Sequence, residues 1–434
     1  METVDGHAVH DPMKGEANLG KRKFIFIYLT VTLCGVVMQL LLDSSVSSSF
    51  IILMGGHSLL AASVDSLINL GIVQSAVFAA YLLSKFRYYK KMLVTFSFFS
   101  HISILCLAVS LFLLPPAFVP YVLSVVIFCY FFFSGCLNLP LYEMLHQSVD
   151  SRSRVVVMSN SLAISQLSAT AVSVGISWAL HRPADNQVLN YYDIYLSAVF
   201  VVTVCLAATL WLDKVRVVKG EAHENVTFGG MYRNMFRDIR QNRFFAVFLA
   251  AVILYAIPWS STGLFVSLGY RENVERMNEI LAYGIFVRTL IKAVCFAVFG
   301  LLAKRFGNRF ILLLTGVVAL CAPLTALFLS IDYFIIVLVA TSISPMAYVY
   351  FLNELIDRTD AAAFKGRFTL FTLATVPATF IIPLLGLLME KNPVLFCSVM
   401  AFVQLCGVYT VAKWKANRFA YGRSTVSYPT DHQK

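Results

Sequence analysis

The chain has 434 residues, 59% of them hydrophobic and only 13% charged, with a formal net charge of +11 and a mean hydropathy of +0.76. Soluble domains run nearer ~45–50% apolar and ~25% charged, so a soluble globular enzyme is excluded, as is a disordered chain, and lipid must be the main solvent. The basic residues sit in short stretches between apolar runs and do not gather on one soluble face, which argues against nucleic acid as a partner.

Twelve runs are long enough to cross ~30 Å of hydrocarbon as helices, at about twenty residues each, and are apolar all round rather than alternating as barrel strands would be. They predict an all-α polytopic membrane protein. The spans lie near 24–45, 62–84, 92–114, 118–142, 155–180, 192–212, 244–267, 279–302, 310–330, 333–355, 368–389 and 394–412. A Ser-rich stretch at 46–61 suggests an outer loop with a half-buried turn. The organisation is an N-terminal segment (1–23), a six-helix half (24–212), a central loop (213–243), a second six-helix half (244–412) and a tail (413–434). Of 34 Lys and Arg, 28 fall on the N-terminal side of the membrane and 4 on the other. The positive-inside rule then places both termini and the central loop in the cytoplasm. Asn225-Val226-Thr227 in that loop matches a glycosylation acceptor, but seven basic residues beside it favour a cytoplasmic loop and a chance match. Nine cysteines, all within apolar runs and with no CxxC pair, predict neither disulfides nor a metal site. Residues 1–20 are polar and mixed in charge, unlike a cleavable signal peptide.

Ionisable residues within spans are costly and mark function by default. In chain order, Asp43 and Asp65 come first, both toward the outer third of the membrane. Either can carry a coupling proton, or cap a helix end beside its serines. His101, near mid-depth of the third span, suits proton handling or a hydrogen-bonded core position. Asn160 and Gln166 are polar positions in the fifth span. The seventh span is interrupted at Pro258, which makes Tyr255 and Trp259 candidate substrate contacts or, for Trp259, part of an aromatic belt. Arg288 and Lys292 lie ~18 and ~12 Å from the cytoplasmic end of the eighth span. Four apart, they share a face, and two cations there require an anion nearby. That anion is a bound solute, or a carboxylate such as Asp43 or Asp65. Tyr348, after Ser344-Pro345 in the tenth span, is a further candidate contact.

The chain repeats itself. Ala80-Tyr-Leu82-Leu-Ser84-Lys85-Phe86-Arg87 follows the second span, and Gly300-Leu-Leu302-Ala-Lys304-Arg305-Phe306-Gly307-Asn-Arg309 follows the eighth. In these loops, and in two six-span halves, the sequence resembles the major facilitator superfamily, whose loops carry Gly-x-Leu-x-Asp-Arg-x-Gly-Arg-Arg. Gly300, Leu302, Arg305, Gly307 and Arg309 match, and Leu82, Lys85 and Lys90 match weakly. The motif's acid is replaced by Ser84 and Lys304, so the family's Asp-centred lock cannot operate unchanged. The resemblance implies a central cavity opening alternately to either side, with substrate near the midplane. It also implies a cytoplasmic gate built from Lys85, Glu143, Arg152 or Arg154, and the loop residues Gly300, Arg305, Gly307 and Arg309. Glu354 with Arg358, Lys365 and Arg367 completes that gate. A basic residue in the eighth span recurs in superfamily carriers of monocarboxylates, dicarboxylates and nitrate.

No Walker loop, metalloprotease motif or nucleophile elbow is present, so neither an enzyme nor a cofactor is expected. The reading is a secondary active transporter, monomeric in a plasma or inner membrane. It would move a small anionic or zwitterionic solute among membrane lipids, with protons as the coupling ion. A lipid transporter on the same fold, or a transport-silent receptor or scaffold, are the alternatives.

Overall fold

The computed structural model describes residues 12–56, 58–85, 89–149, 151–181, 187–212, 237, 239–240 and 242–414. Most of the central loop, with Asn225-Val226-Thr227, and most of the tail lie outside the described residues. Among the described residues every regular element is helical. Twelve helical stretches are long and apolar enough to cross a membrane, beginning with Ile25–Leu53 and Leu59–Leu82 and ending with Pro393–Lys413. The chain is therefore a multi-pass membrane protein. With an even number of crossings among the described residues, the start of the first span and the end of the twelfth lie on one side, termed here the terminal end, and the other side is the opposite end.

The first crossing is broken. One helix runs Pro12–Leu41, already formed well before residue 24, and a second runs Ser44–Leu53. The stretch at 46–61 is thus a correction: helices Ser44–Leu53 and Ser58–Ala62 replace the expected loop, with a turn at Gly55, whose φ is +77°. A serine-rich run is helical here because its hydroxyls are satisfied locally. Asp43 caps the helix by accepting from the Ser45 amide at 2.8 Å. Ser49 donates to the Ser45 carbonyl and Ser48 to the Ala61 carbonyl, both at 2.7 Å. Phe50 then packs among Tyr191, Tyr192 and Tyr195 of the sixth span.

The seventh crossing, first of the second six, is broken in the matching place. Arg243–Trp259 ends one residue past Pro258, and Thr262–Glu272 resumes after Ser260 and Ser261. The outer pieces of the two broken crossings, Ser44–Leu53 and Thr262–Glu272, pack on each other at the opposite end. The tenth crossing is interrupted by a 3-10 turn at Ser344–Met346.

Across the molecule the fifth span (Ser153–Leu180) packs extensively along the eighth (Val274–Phe306), and the second (Leu59–Leu82) along the eleventh (Ala363–Lys391). The fifth–eighth seam is built of small groups. A Cβ at Gly300 would meet Ser159 Cβ at 2.5 Å, so only glycine allows this approach. Further along, Ser173 and Thr289 share a hydrogen bond of 3.0 Å.

Candidate functional site

A cavity of about 390 Å³ lies where the two sets of six spans meet. Its walls come from the first, second, fourth, fifth, seventh, eighth, tenth and eleventh spans, while the third, sixth, ninth and twelfth contribute nothing to it. Each wall is one helical stripe. In the first span Tyr28, Thr32, Gly35, Gln39 and Asp43 line it at three- and four-residue spacing. Asp65, Asn69 and Ile72 do so in the second, and Ser134, Asn138 and Tyr142 in the fourth.

Arg288, only 2% exposed, reaches Asp43 with Nη2 2.5 Å from Oδ1. The same carboxylate accepts from the Ser45 amide and from the Ser45 hydroxyl at 2.6 Å. Asp43 thus caps the helix Ser44–Leu53 and pairs with Arg288 at the same time. Lys292, one turn further along the eighth span, also lines the cavity but makes no salt bridge among the described residues. Arg288 Nε likewise has no hydrogen-bond partner there. Against two cations, one acid is in direct contact.

The second acid does something else. Asp65, buried in the first turn of Val64–Lys85, accepts from the Gly263 amide at 2.7 Å. Gly263 is the second residue of Thr262–Glu272, whose own cap position, Ser261, makes no side-chain capping bond. A carboxylate from the second span thus satisfies an orphan donor at the break in the seventh and faces the positive end of its dipole. One turn on, Asn69 donates to the Ser260 hydroxyl at 2.7 Å. A side chain at Gly263 would be crowded, since a Cβ would lie 3.0 Å from Ser48 Oγ and 3.1 Å from Asp65 Oδ2.

Trp259 and Tyr348 line the cavity edge to face, with ring centroids 6.1 Å apart. Tyr255 does not line it. Its hydroxyl donates to the Leu312 carbonyl at 2.7 Å and its ring lies against Gly316 and Gly407 of the ninth and twelfth spans. Facing away from the cavity, it is a packing residue. Gln166 is also absent from the lining, to which Leu162 is the fifth span's contribution, and Asn160 is exposed. His101 is buried in the third span, which packs on the fourth and sixth, remote from the cavity wall.

The residues expected at the cytoplasmic gate collect at the terminal end, with pairings across the halves. Arg154 Nη1 lies 2.7 Å from Asp357 Oδ1, and Lys365 Nζ lies 3.6 Å from Glu143 Oε1. Glu354 pairs within its own helix with Arg358 and accepts from Asn308 at 3.0 Å. Arg367 is buried over the Phe245 ring. Gly307 ends the eighth span at φ +84°, while Arg305 lies over the Phe306 ring. Arg309 donates to the carbonyls of Val411, at 3.0 Å, and Ala412, so it caps the twelfth span instead of reaching a carboxylate. The side chains of Lys85 and Arg152 lie outside the described residues.

Sequence reasoning missed Gln39, Asn69, Asn138 and Asp357. The first three are lone amides within apolar windows, and their four-residue spacing from Asp43, Asp65 and Tyr142 was the available signal.

No family model matches the chain, and no curated protein matches its sequence. Solved structures do. A POT family transporter in complex with a thioalcohol-conjugated peptide superposes at TM-score 0.63 with 12% identity, covering 88% of this chain and 94% of that one. FucP, a major facilitator superfamily transporter in the outward conformation, gives 0.61 and 13%, with 91% and 99% covered. The nucleoside transporter NupG gives 0.59 and 12%, with 90% and 99% covered. Twelve spans, paired broken crossings and a cavity between the two sets of six define a polytopic membrane protein. The chain has the fold of the major facilitator superfamily.

Proposed function

We propose that the protein is a secondary active transporter that moves a small anionic or zwitterionic organic solute by alternating access, with its termini in the cytoplasm. The observation that carries this reading is a cation on the cavity wall, Lys292, that makes no salt bridge among the described residues. Arg288 and Lys292 stand four residues apart on one wall, and the acid in contact with them, Asp43, engages only Arg288. A solute carboxylate or phosphate suits Lys292, and a solute amine suits Asp43. Transport is favoured over a silent receptor because a receptor has no use for charges at this depth. Polar side chains reaching the cavity from most walls also favour a small solute over a lipid. The similar folds of FucP, described as a fucose:proton symporter, and NupG support transport. Proton coupling through Asp43 or Asp65 is part of the proposal.

The test is uptake into liposomes and thermal shift of purified protein against a panel of organic anions, amino acids and neutral sugars. Arg288→Lys should keep the fold and weaken binding roughly ten- to a hundred-fold, the contribution of one charge-assisted bond. Arg288→Ala should abolish binding and also destabilise by ~3–5 kcal/mol, since Asp43 loses its ion-pair partner. Asp43→Asn with Arg288→Gln separates the two effects. Stability should return without transport, and recovery of both would make the pair a structural element and sink the anion reading.

A further inference from the structure

The cavity carries hydrogen-bonding groups that the charge contact leaves unused. The first and eighth spans run antiparallel, and Asp43 meets Arg288. Gln39 is one turn from Asp43 toward the terminal end, and Lys292 is one turn from Arg288 in the same direction. These two therefore share the next level down. Gln39 is exposed to the cavity, and its carboxamide has no hydrogen-bond partner among the described residues. Asn138 of the fourth span lines the cavity with the same lack of a partner. Below them Tyr28, Tyr142 and Tyr348 group together, and the Tyr348 hydroxyl is buried without a hydrogen-bond partner. The site is thus graded, charged toward the opposite end and neutral but rich in donors and acceptors toward the terminal end.

We infer that the substrate is an organic acid whose uncharged part carries hydroxyl or amide groups, its acid held at Lys292 and Arg288 and its polar body matched by Gln39, Asn138 and the phenols. This rests on the anion reading proposed above. A carboxamide offers a donor and an acceptor side by side, which complements a hydroxyl or an amide and nothing purely hydrocarbon. An aliphatic acid of equal length would strip water from these groups and return no bond. A site built to bond a polar group discriminates strongly against the analogue that lacks it. The volume of about 390 Å³ is near the lower end of ~300–1,000 Å³ for ligand pockets, which fits a compact solute.

The experiment is a thermal-shift titration of the purified full-length protein with matched ligands. Gluconate is compared with hexanoate, which has the same chain without hydroxyls, and with sorbitol, which has the hydroxyls without the acid. N-acetylglycine is compared with pentanoate in the same way. At least one polar acid should bind ten-fold or more tightly than its aliphatic mate. Gln39→Leu, alone and with Asn138→Leu, should narrow that ratio to about three-fold or less, with the unliganded melting temperature checked first. The single variant serves alone if the double fails to fold. Aliphatic acids binding as well as their polar mates, or an unchanged ratio in Gln39→Leu, overturns this inference and leaves the anion site standing. Sorbitol binding as tightly as gluconate, or no response to any acid, removes the anion site itself and this inference with it.

Discussion

Gly307 shows how one backbone angle separates strain from crowding. Its φ of +84° and ψ of 162° fall in a region that is essentially glycine's alone. Yet a Cβ there would meet nothing within 4 Å. The cost of any side chain is therefore conformational and nearly independent of size. Gly307→Ala and Gly307→Val should each destabilise by ~1–3 kcal/mol, with Ala no milder than Val by more than a small margin. Melting temperatures of the two variants in the same detergent check this, and a neutral Gly307→Ala would show that the turn relaxes freely. The need for glycine was legible from the loop motif. Which partner Arg309 takes was not, because carbonyls at the end of the twelfth span leave no mark in sequence. Arg288 and Lys292 stood out because charge within an apolar window is costly and needs a counter-charge. Gln39 and Asn138 did not, since an amide is common enough in such windows to pass for packing. Tyr255 and Trp259 sit four apart beside one proline, and only the structure separates the packing residue from the cavity wall.

At the scale of elements, the crossings other than the first were readable to within about five residues because length and apolarity alone fix them. The break at Pro258 was equally visible. The matching break at Asp43 was not, because serines mimic a loop in composition while satisfying one another's backbone as a helix. The seam between the fifth and eighth spans depends on a feature the repeat hinted at only as a loop signature. Gly300 is glycine because Ser159 occupies the space where its side chain would be. Gly300→Ala should force the two helices apart and lower both stability and uptake. Ser159→Gly in the same chain should restore them in large part, because it removes the Cβ that the new methyl meets at 2.5 Å. Ser159→Ala, which keeps that Cβ, should not. Equal rescue by both changes, read as melting temperature and uptake rate, would show that the Ser159 hydroxyl rather than steric contact governs the seam.

Contacts between the two sets of six spans bridge the molecule at both ends. At the terminal end these are Arg154 with Asp357 and Lys365 with Glu143. At the opposite end Asp65 caps Thr262–Glu272, and Asn69 bonds Ser260. If the proposed alternating access operates, the two closures compete: weakening one favours the state in which the other stays closed. A bias of ~1.4 kcal/mol shifts the balance ten-fold, less than the ~3–5 kcal/mol that breaking a buried ion pair costs. Ser267 is a suitable reporter. It is buried in Thr262–Glu272, and a cysteine placed there in a cysteine-free chain reacts only when the opposite end opens. Arg154→Ala with Lys365→Ala should therefore slow maleimide labelling at position 267 several-fold. Asp65→Ala, which removes the cap at the other end, should speed it. The opposite signs are the content of the prediction. Two changes some distance apart that both accelerated labelling would indicate general loosening of the bundle, and an unaltered rate in the terminal-end variant would mean that its ion pairs do not govern the balance between states.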